Sequence, residues 1–376
     1  MPRLPSSTSV AARPAKMYKY FRSLLFRIDP ETAHQLTLQL MRLGGIEPIH
    51  SILRVIFSAP SKPVSAFGLT FKNPVGLAAG YDKDAVAIKG LSTLGFGHIE
   101  VGTVTPQPQP GNQHPRIFRL IEDEAVINRM GFPSEGSEFV QKQLNSSLRE
   151  GILGRFTRPF RPSRRNTPGT IKKGNVVLGI NLGKNKDTPN EDAVLDYLEL
   201  LQCFASYADY LAINISSPNT VGLRQLQGHA ALEGLLIQLD AQRRFEEKKL
   251  DKRLPLLVKL APDLPEQELD DAVDVILDTH MDGIIVTNTT LARAGLRSVH
   301  RGESGGLSGS PLRVRSETVL CQVVKRVNGK IPIVSVGGIM NPEDAKRRLD
   351  LGSTLIQIYT GLIYQGPGLV KKTLEQ

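Results

Sequence analysis

The chain has 376 residues, 40% hydrophobic and 22% charged, an ordinary globular composition that suits one large α/β barrel with extensions or two smaller domains. No run approaches the roughly 18 apolar residues of a spanning helix, no secretory signal leads the chain, and two cysteines, Cys203 and Cys321, make neither a disulfide framework nor a zinc or iron–sulfur site, so they read as buried free thiols in a reducing compartment. The net charge of +10 sits in two acid-free segments, 1–28 and 155–173, whose removal leaves 34 basic against 37 acidic residues; with no base-reading motif this speaks against nucleic acid and for an anionic membrane surface at the first segment, solvated tails being the plain alternative.

Residues 1–16, rich in Pro, Ser and Ala, read as a disordered leader. A helical region over 17–65 follows. Phe21, Leu24, Leu25 and Ile28 recur at helical spacing. Asp29-Pro30-Glu31 then opens a second helix, because Asp caps, Pro is tolerated in the first turn and Glu suits a helix N-terminus. That helix carries Ala33, Leu36, Leu40 and Leu43 on one face and stops at Gly44-Gly45. The pair is either an ordinary hairpin packed on the domain or an element that inserts partly into a lipid surface.

From residue 66 to the C-terminus, short apolar runs alternate with helical stretches, the pattern of βαβ units. Eight runs are present: Val75–Ala79, His98–Gly102, Val176–Asn181, Tyr210–Asn214, Leu256–Leu260, Gly283–Asn288, Ile333–Gly337 and Thr354–Tyr359. Eight closes a (β/α)8 TIM barrel. Three interruptions, 104–135, 155–173 and 289–310, exceed ordinary connections, so some of them should cover or shape a site.

The ends of the runs carry residues that packing does not explain: Ala79-Gly80, Gly102-Thr103, Asn181, Asn214, Lys259, Thr287-Asn288, Gly337-Gly338 and Tyr359-Thr360. A single Asn at a strand end is more often structural, but this succession predicts a site at the C-terminal face of the barrel. Gly337-Gly338, Tyr359-Thr360 and the Gly305–Gly309 turn suit a phosphate, with Pro342-Glu343-Asp344 opening the next helix beside it. Asn214-Ile215-Ser216-Ser217-Pro218-Asn219-Thr220 leaves the fourth strand without a histidine base near it. Acyl transfer is therefore disfavoured, and a serine that removes a proton fits better, an Asn/Ser/Pro turn being the structural alternative.

Ten motifs in order then resemble the dihydroorotate dehydrogenase family, in its quinone-linked, membrane-associated branch. They run from FKNPVGLAAGYDKD (71–84), IEVGTVTPQPQPGN (99–112) and INRMGF (127–132) through GINLGKNK (179–186), NISSPNTVGLRQLQ (214–227), VKLAPDL (258–264) and VTNTT (286–290) to GGLSGSPL (305–312), SVGGI (335–339) and IQIYTGLIYQGP (356–367). The resemblance implies FMN as cofactor, held by Ala79, Gly80, Tyr81, Asp82, Lys83, Thr103, Asn181, Asn214, Lys259, Thr287, Gly309, Gly338, Tyr359 and Thr360. The phosphate would lie on Gly309, Gly338, Tyr359 and Thr360, and Lys259 by the N1/O2 edge of the flavin. Dihydroorotate would meet Lys83, Asn128, Arg129, Met130, Gly131, Phe132, Asn214, Asn219, Asn288 and Thr289. Ser217 takes the place of the family's general base, where the soluble branch has Cys, with a relay through Thr220 or a water.

The same resemblance makes the N-terminal helix pair the access route for a membrane quinone, with His34 and Arg119 near its head group. It implies oxidation of dihydroorotate to orotate in pyrimidine synthesis by a monomer bound peripherally to the cytoplasmic face of a bacterial plasma membrane; a mitochondrial inner membrane is the alternative. No metal is implied. Tyr81 stands where relatives often carry Phe or Leu, and Ser335 where Gly is frequent, both with little effect expected; the basic insertion at 155–173 lies outside the family core. Two other readings remain beside it: a phosphate-binding lyase or isomerase barrel without flavin, and a membrane-surface scaffold without enzymatic activity.

Overall fold

The computed structural model describes residues 18–149 and 176–376. The leader at 1–16 and the basic insertion at 155–173 lie outside the described residues. Eight parallel strands close into a barrel in chain order: β1 (Val75–Leu77), β2 (His98–Val104), β3 (Val177–Leu182), β4 (Tyr210–Asn214), β5 (Leu256–Leu260), β6 (Gly283–Val286), β7 (Ile333–Val336) and β8 (Leu355–Ile358). Each apolar run read from the sequence is one of these strands, displaced by a few residues at most. Pairings such as Ile213↔Val258 and Ile356↔Val75 keep the neighbours in register around the closure.

Two layers of core follow from the period-2 geometry of strands. Outward-facing residues such as Ile99, Ile213, Val258 and Ile356 pack under the surrounding helices. Inward-facing residues such as Ala212, Leu257, Ile285 and Val334 fill the barrel. A small antiparallel hairpin, Val64–Ala66 with Leu69–Phe71, plugs the bottom, where Phe67 and Phe71 meet Tyr210 and His98. Gly179 is what lets Tyr210 lie across the interior, since a Cβ at position 179 would stand 2.2 Å from its ring. The core is thus closed below and open above.

Above the barrel, two of the long connections meet. Ile117–Leu120 and Ala125–Asn128 form a hairpin from the 104–135 segment, and Gly306–Gly309 from the 289–310 segment adds a third strand, Gly306 pairing with Asn128. This small sheet shapes the site, as the length of the interruptions implied.

The N-terminal region is helical in three pieces: α1 over 18–25, α2 (Pro30–Leu43) and α3 (Ile49–Ile56). Asp29 caps α2 by accepting from the backbone N–H groups of Glu31 and Thr32, as the motif implied. Tyr18 and Arg22 tie α1 to the carbonyls of Ile363 and Tyr364, at 2.6 and 2.7 Å. The apolar face of α2 is not buried in a hairpin: Leu36, Leu40 and Leu43 are exposed. The third helix, which the sequence reading missed, adds exposed Ile49, Ile52, Val55 and Ile56. No helix among the described residues is long and apolar enough to cross a membrane. One expectation fails: Cys203 is half-buried but Cys321 is exposed, because it falls outside the inward stripe of its helix formed by Val319, Leu320, Val323 and Val327.

Candidate active site

A cavity of about 360 Å³ opens at the C-terminal face of the barrel, a size usual for small-molecule sites. Its deep end is polar, with Lys83, Asn128, Asn214, Ser217, Asn219, Lys259 and Asn288 among its walls. Its outer end is apolar and runs between α1 and α2, past Phe21, Leu25, Ala33, Leu40 and Met41. One cavity therefore joins a polar floor to an apolar mouth.

The strand-end amides form a directed network. Thr103 Oγ1 donates to Asn181 Oδ1 at 2.6 Å, and Asn214 Nδ2 donates to Asn181 Oδ1 at 3.0 Å and Thr103 Oγ1 at 2.9 Å. Asn214 Oδ1 in turn accepts from Ser216 Oγ at 3.1 Å and Asn288 Nδ2 at 3.2 Å. Such a fully paired buried set is rigid, because each amide end is committed. On the loop above, Asn219 Nδ2 donates to Asn128 Oδ1 at 3.2 Å, and Asn112 donates to the Asn219 carbonyl at 3.2 Å.

The two serines of the fourth loop have different surroundings. Ser216 is fully buried and bonded to Asn214 and Asn288. Ser217 lines the cavity, and its Oγ accepts from the Asn219 N–H at 3.2 Å. That bond stabilises negative charge on the oxygen. Thr220 is buried, does not line the cavity, and shares no hydrogen bond with Ser217, so the geometry gives the Thr220 relay no support.

Three cations face this space. Burial brings Lys83 down to about 8, with Asp84 and then Glu31 opposing the shift, and its Nζ donates to the Gly80 carbonyl at 2.7 Å. Lys259 is also lowered by burial and held up by Glu100, whose Oε1 lies 3.9 Å away. Its ammonium makes no hydrogen bond to any described residue. Arg119 lies at the apolar mouth over the Phe26 ring, 4.9 Å from its centroid, and donates to the Leu25 and Ile28 carbonyls at the end of α1. His34 packs edge-on against Tyr81 at 5.2 Å and is pushed down to about 3 by burial and Lys83, which keeps it neutral.

At the far wall the glycine loops approach closely. Gly338 has φ +73°, and a Cβ there would stand 2.4 Å from the Arg313 Cα, so only glycine fits. Gly309, Tyr359 and Thr360 complete this wall, with Thr360 Oγ1 donating to Ser308 Oγ at 2.9 Å. The helix Pro342–Asp350 is not available to an anion as anticipated. Its N-terminus is already capped by Asn341, which accepts from the Asp344 N–H, while Asp344 accepts from the Met340 N–H. The short helix Thr360–Gln365 starts at the cavity wall instead.

Of the residues singled out in the sequence, Ala79, Gly80, Tyr81, Lys83, Thr103, Asn128, Met130, Gly131, Phe132, Asn214, Ser217, Asn219, Lys259, Thr287, Asn288, Thr289, Gly309, Gly338, Tyr359 and Thr360 all line the cavity, as do His34 and Arg119. Three do not. Asp82 turns back to accept from the N–H groups of Val86 and Ala87. Arg129 points outward to Glu303 and stacks on Phe118. Asn181 lies one layer deeper, behind Thr103 and Asn214. Two deep residues escaped the sequence reading, Glu100 and Gln357, which lie mid-strand rather than at strand ends.

Comparison with known proteins agrees with this geometry. The family model described as Dihydroorotate dehydrogenase matches residues 62–376. A protein of Halorhodospira halophila named "Dihydroorotate dehydrogenase (quinone)" is 46% identical over 364 residues, covering 95% of this chain and 97% of that one. A namesake from Idiomarina loihiensis is 46% identical over 355 residues, 94% and 98% of the two chains. Among solved structures, DHODH from Eimeria tenella in complex with ferulenol superposes with a TM-score of 0.80 at 39% identity, over 92% of this chain and 90% of that one.

Proposed function

The chain belongs to the dihydroorotate dehydrogenase family, whose members oxidise dihydroorotate to orotate in pyrimidine synthesis, and on that premise we propose that it uses FMN as hydride acceptor and a membrane quinone as final acceptor. The observation that carries the reading is the single cavity that joins a polar, asparagine-lined floor to an apolar mouth between two amphipathic helices. A polar substrate and an apolar oxidant can use one cofactor from its two ends.

The residues fit FMN. The Lys259 ammonium faces the cavity with the Glu100 carboxylate 3.9 Å away and no hydrogen-bond acceptor among the described residues, where a ring that gains negative charge on reduction would supply one. The Gly338 backbone and the start of the helix at Thr360 provide N–H groups for its phosphate. When bound, FMN supplies an acceptor for the hydride. The protein does the rest. Lys83 holds the substrate carboxylate, and Asn128, Asn219 and Asn288 match the donors and acceptors of a cyclic urea. The fixed amides orient that ring, so the reacting hydrogens are presented without reorganisation. Ser217 Oγ takes the proton from the ring carbon next to the one that loses hydride as its own hydroxyl proton passes to water, and the Asn219 N–H meets the alkoxide character this builds on Oγ. We place the protein on the cytoplasmic face of a bacterial plasma membrane, docked through α1, α2 and α3.

The test is direct. Purified protein should be yellow and release one FMN per chain on denaturation, and dihydroorotate should bleach the flavin in stopped flow. Reoxidation by a soluble quinone but not by NAD is expected. Failure to bleach removes the reading, and reoxidation by NAD alone removes its quinone half.

A further inference from the structure

Glu100 is fully buried on the barrel axis, in the middle of β2. We propose that Glu100 is a positioning residue of the active site, whose carboxylate holds the Lys259 ammonium charged and in place and fixes which way the amides above it donate. The inference rests on the FMN reading, because Lys259 acts there on the bound cofactor.

The geometry is one of convergence. Glu100 Oε1 accepts from Asn181 Nδ2 at 2.8 Å and lies 3.9 Å from Lys259 Nζ. Oε2 accepts from Tyr210 OH at 3.0 Å and Gln357 Nε2 at 2.8 Å. Residues from β2, β3, β4, β5 and β8 thus meet at one carboxylate. An ionised carboxylate only accepts, so every partner must donate to it. Asn181 has committed its NH₂ downward, and its Oδ1 must therefore face up toward Thr103 and Asn214. Asn214 then gives its own NH₂ to Asn181 and Thr103, leaving Oδ1 for Ser216 and Asn288. The orientation of the substrate-side amides is inherited from one acid several ångströms below them.

A carboxylate in this position is costly to desolvate, and a glutamine of the same shape would fill the space at less cost. What a glutamine lacks is charge and an acceptor-only end. The titratable groups around the pair are Glu100 on β2, Tyr210 on β4 and Lys259 on β5. Asn181 and Gln357 are neutral, and the apolar part of the barrel interior includes Ala78 just past β1, Ile285 on β6 and Val336 on β7. Burial alone drives Lys259 toward the neutral amine, and Glu100 is the opposing charge. Without it the ammonium of Lys259 would be lost as pH rises.

The experiment compares wild type, Glu100→Gln, Lys259→Met and the double variant as FMN-loaded full-length proteins, measuring FMN content, flavin midpoint potential across about pH 6 to 9 and the bleaching rate. Expected for Glu100→Gln is retained FMN, a midpoint potential that falls below wild type as pH rises, with a break in its pH profile that wild type lacks, and bleaching slowed by about tenfold or more. In the Lys259→Met background Glu100→Gln should add no break to the pH profile, because the break reports Lys259 losing its proton. A Glu100→Gln profile that superimposes on wild type overturns the proposal, as does a break that persists in the Lys259→Met background. If Glu100→Gln does not fold, the double variant, which leaves no lone buried charge, is compared with Lys259→Met by the slope of the same profile; parallel profiles support the proposal and a break in the double variant overturns it. Wild-type protein without FMN would instead sink the functional reading before any variant is compared.

Discussion

Glu31 on α2 and Arg116 in the segment above the barrel form a buried bidentate pair, with Arg116 Nε 3.0 Å from both carboxylate oxygens and an NH₂ group 2.8 Å from Oε1. The same guanidinium donates to the carbonyls of Pro110 and Asn112, and Asn112 holds the Asn219 carbonyl. The helix at the apolar mouth is therefore linked, through one ion pair, to the loop over the polar floor. Glu31→Gln leaves the guanidinium buried without its counter-charge, which costs about 3–5 kcal/mol. A clear drop in thermal midpoint is expected, with a raised KM for dihydroorotate because Asn112 loses its anchor. An unchanged midpoint and KM would show that the linkage is incidental.

Ser217 and Ser216 should separate cleanly. Ser217→Ala removes the base and is expected to slow flavin bleaching by about 10²–10⁴-fold while FMN affinity stays near wild type. Ser216→Ala removes a buried donor to Asn214 and an acceptor for Asn288, so it should lower stability first. Because a serine hydroxyl is a weak base, wild-type bleaching should accelerate as pH rises. Ser217→Cys, with an ordinary thiol pKa of about 8.5, should move that rise to lower pH. A Ser217→Ala enzyme that bleaches at wild-type rate across pH would remove this residue from the mechanism.

Lys83 gives the opposite pH signature. Burial brings it to about 8, so the ammonium is present below that pH and lost above it. Substrate affinity should follow: the KM for dihydroorotate is expected to be flat below about pH 8 and to climb above it. Glu31 is one of the charges that hold Lys83 up, so Glu31→Gln should move the climb to lower pH. Lys83→Met should raise KM by about 10–100-fold, the worth of a charged hydrogen bond, and abolish the climb. A pH-independent KM in wild type would count against Lys83 as the carboxylate ligand.

The strands and most of the site were legible because each strand ends where an apolar run breaks into Asn, Lys, Thr or Gly, and a parallel barrel gathers such ends on one face. Depth was not legible. Asn181 and Asn214 look alike in sequence, yet one backs the other, since strand length and tilt set how far each end rises. Glu100 was invisible for a related reason: it is an acid inside an otherwise apolar strand, and its partners Asn181, Tyr210, Lys259 and Gln357 come from four other strands. Arg348 escaped in the same way. It is fully buried beneath the glycine loop, donating to the Gly337 carbonyl at 2.9 Å and to Ser335 Oγ at 3.3 Å, which gives the unusual serine of β7 a partner. The helix α3 was missed although Ile49, Ile52 and Ile56 recur at helical spacing, because the segment is short and begins after Pro48.

The exposed apolar face of the N-terminal helices leads to a last prediction, one that separates membrane docking from catalysis. Leu36, Leu40, Leu43, Ile49, Ile52 and Val55 are each at least 40% exposed. Lys19, Arg27, Arg42 and Arg54 are exposed in the same region and suit anionic headgroups. Leu36→Glu with Ile52→Glu places two carboxylates on this face without touching the barrel or the polar floor. Stability and bleaching by dihydroorotate should stay near wild type, since neither side chain lines the cavity. Sedimentation with anionic phosphatidylglycerol vesicles should be lost, and turnover with a long-chain quinone in those vesicles should fall by about tenfold or more, while a short soluble quinone is reduced as before. If the double variant still sediments and still turns over the long-chain quinone at the wild-type rate, these helices do not dock the protein on a membrane.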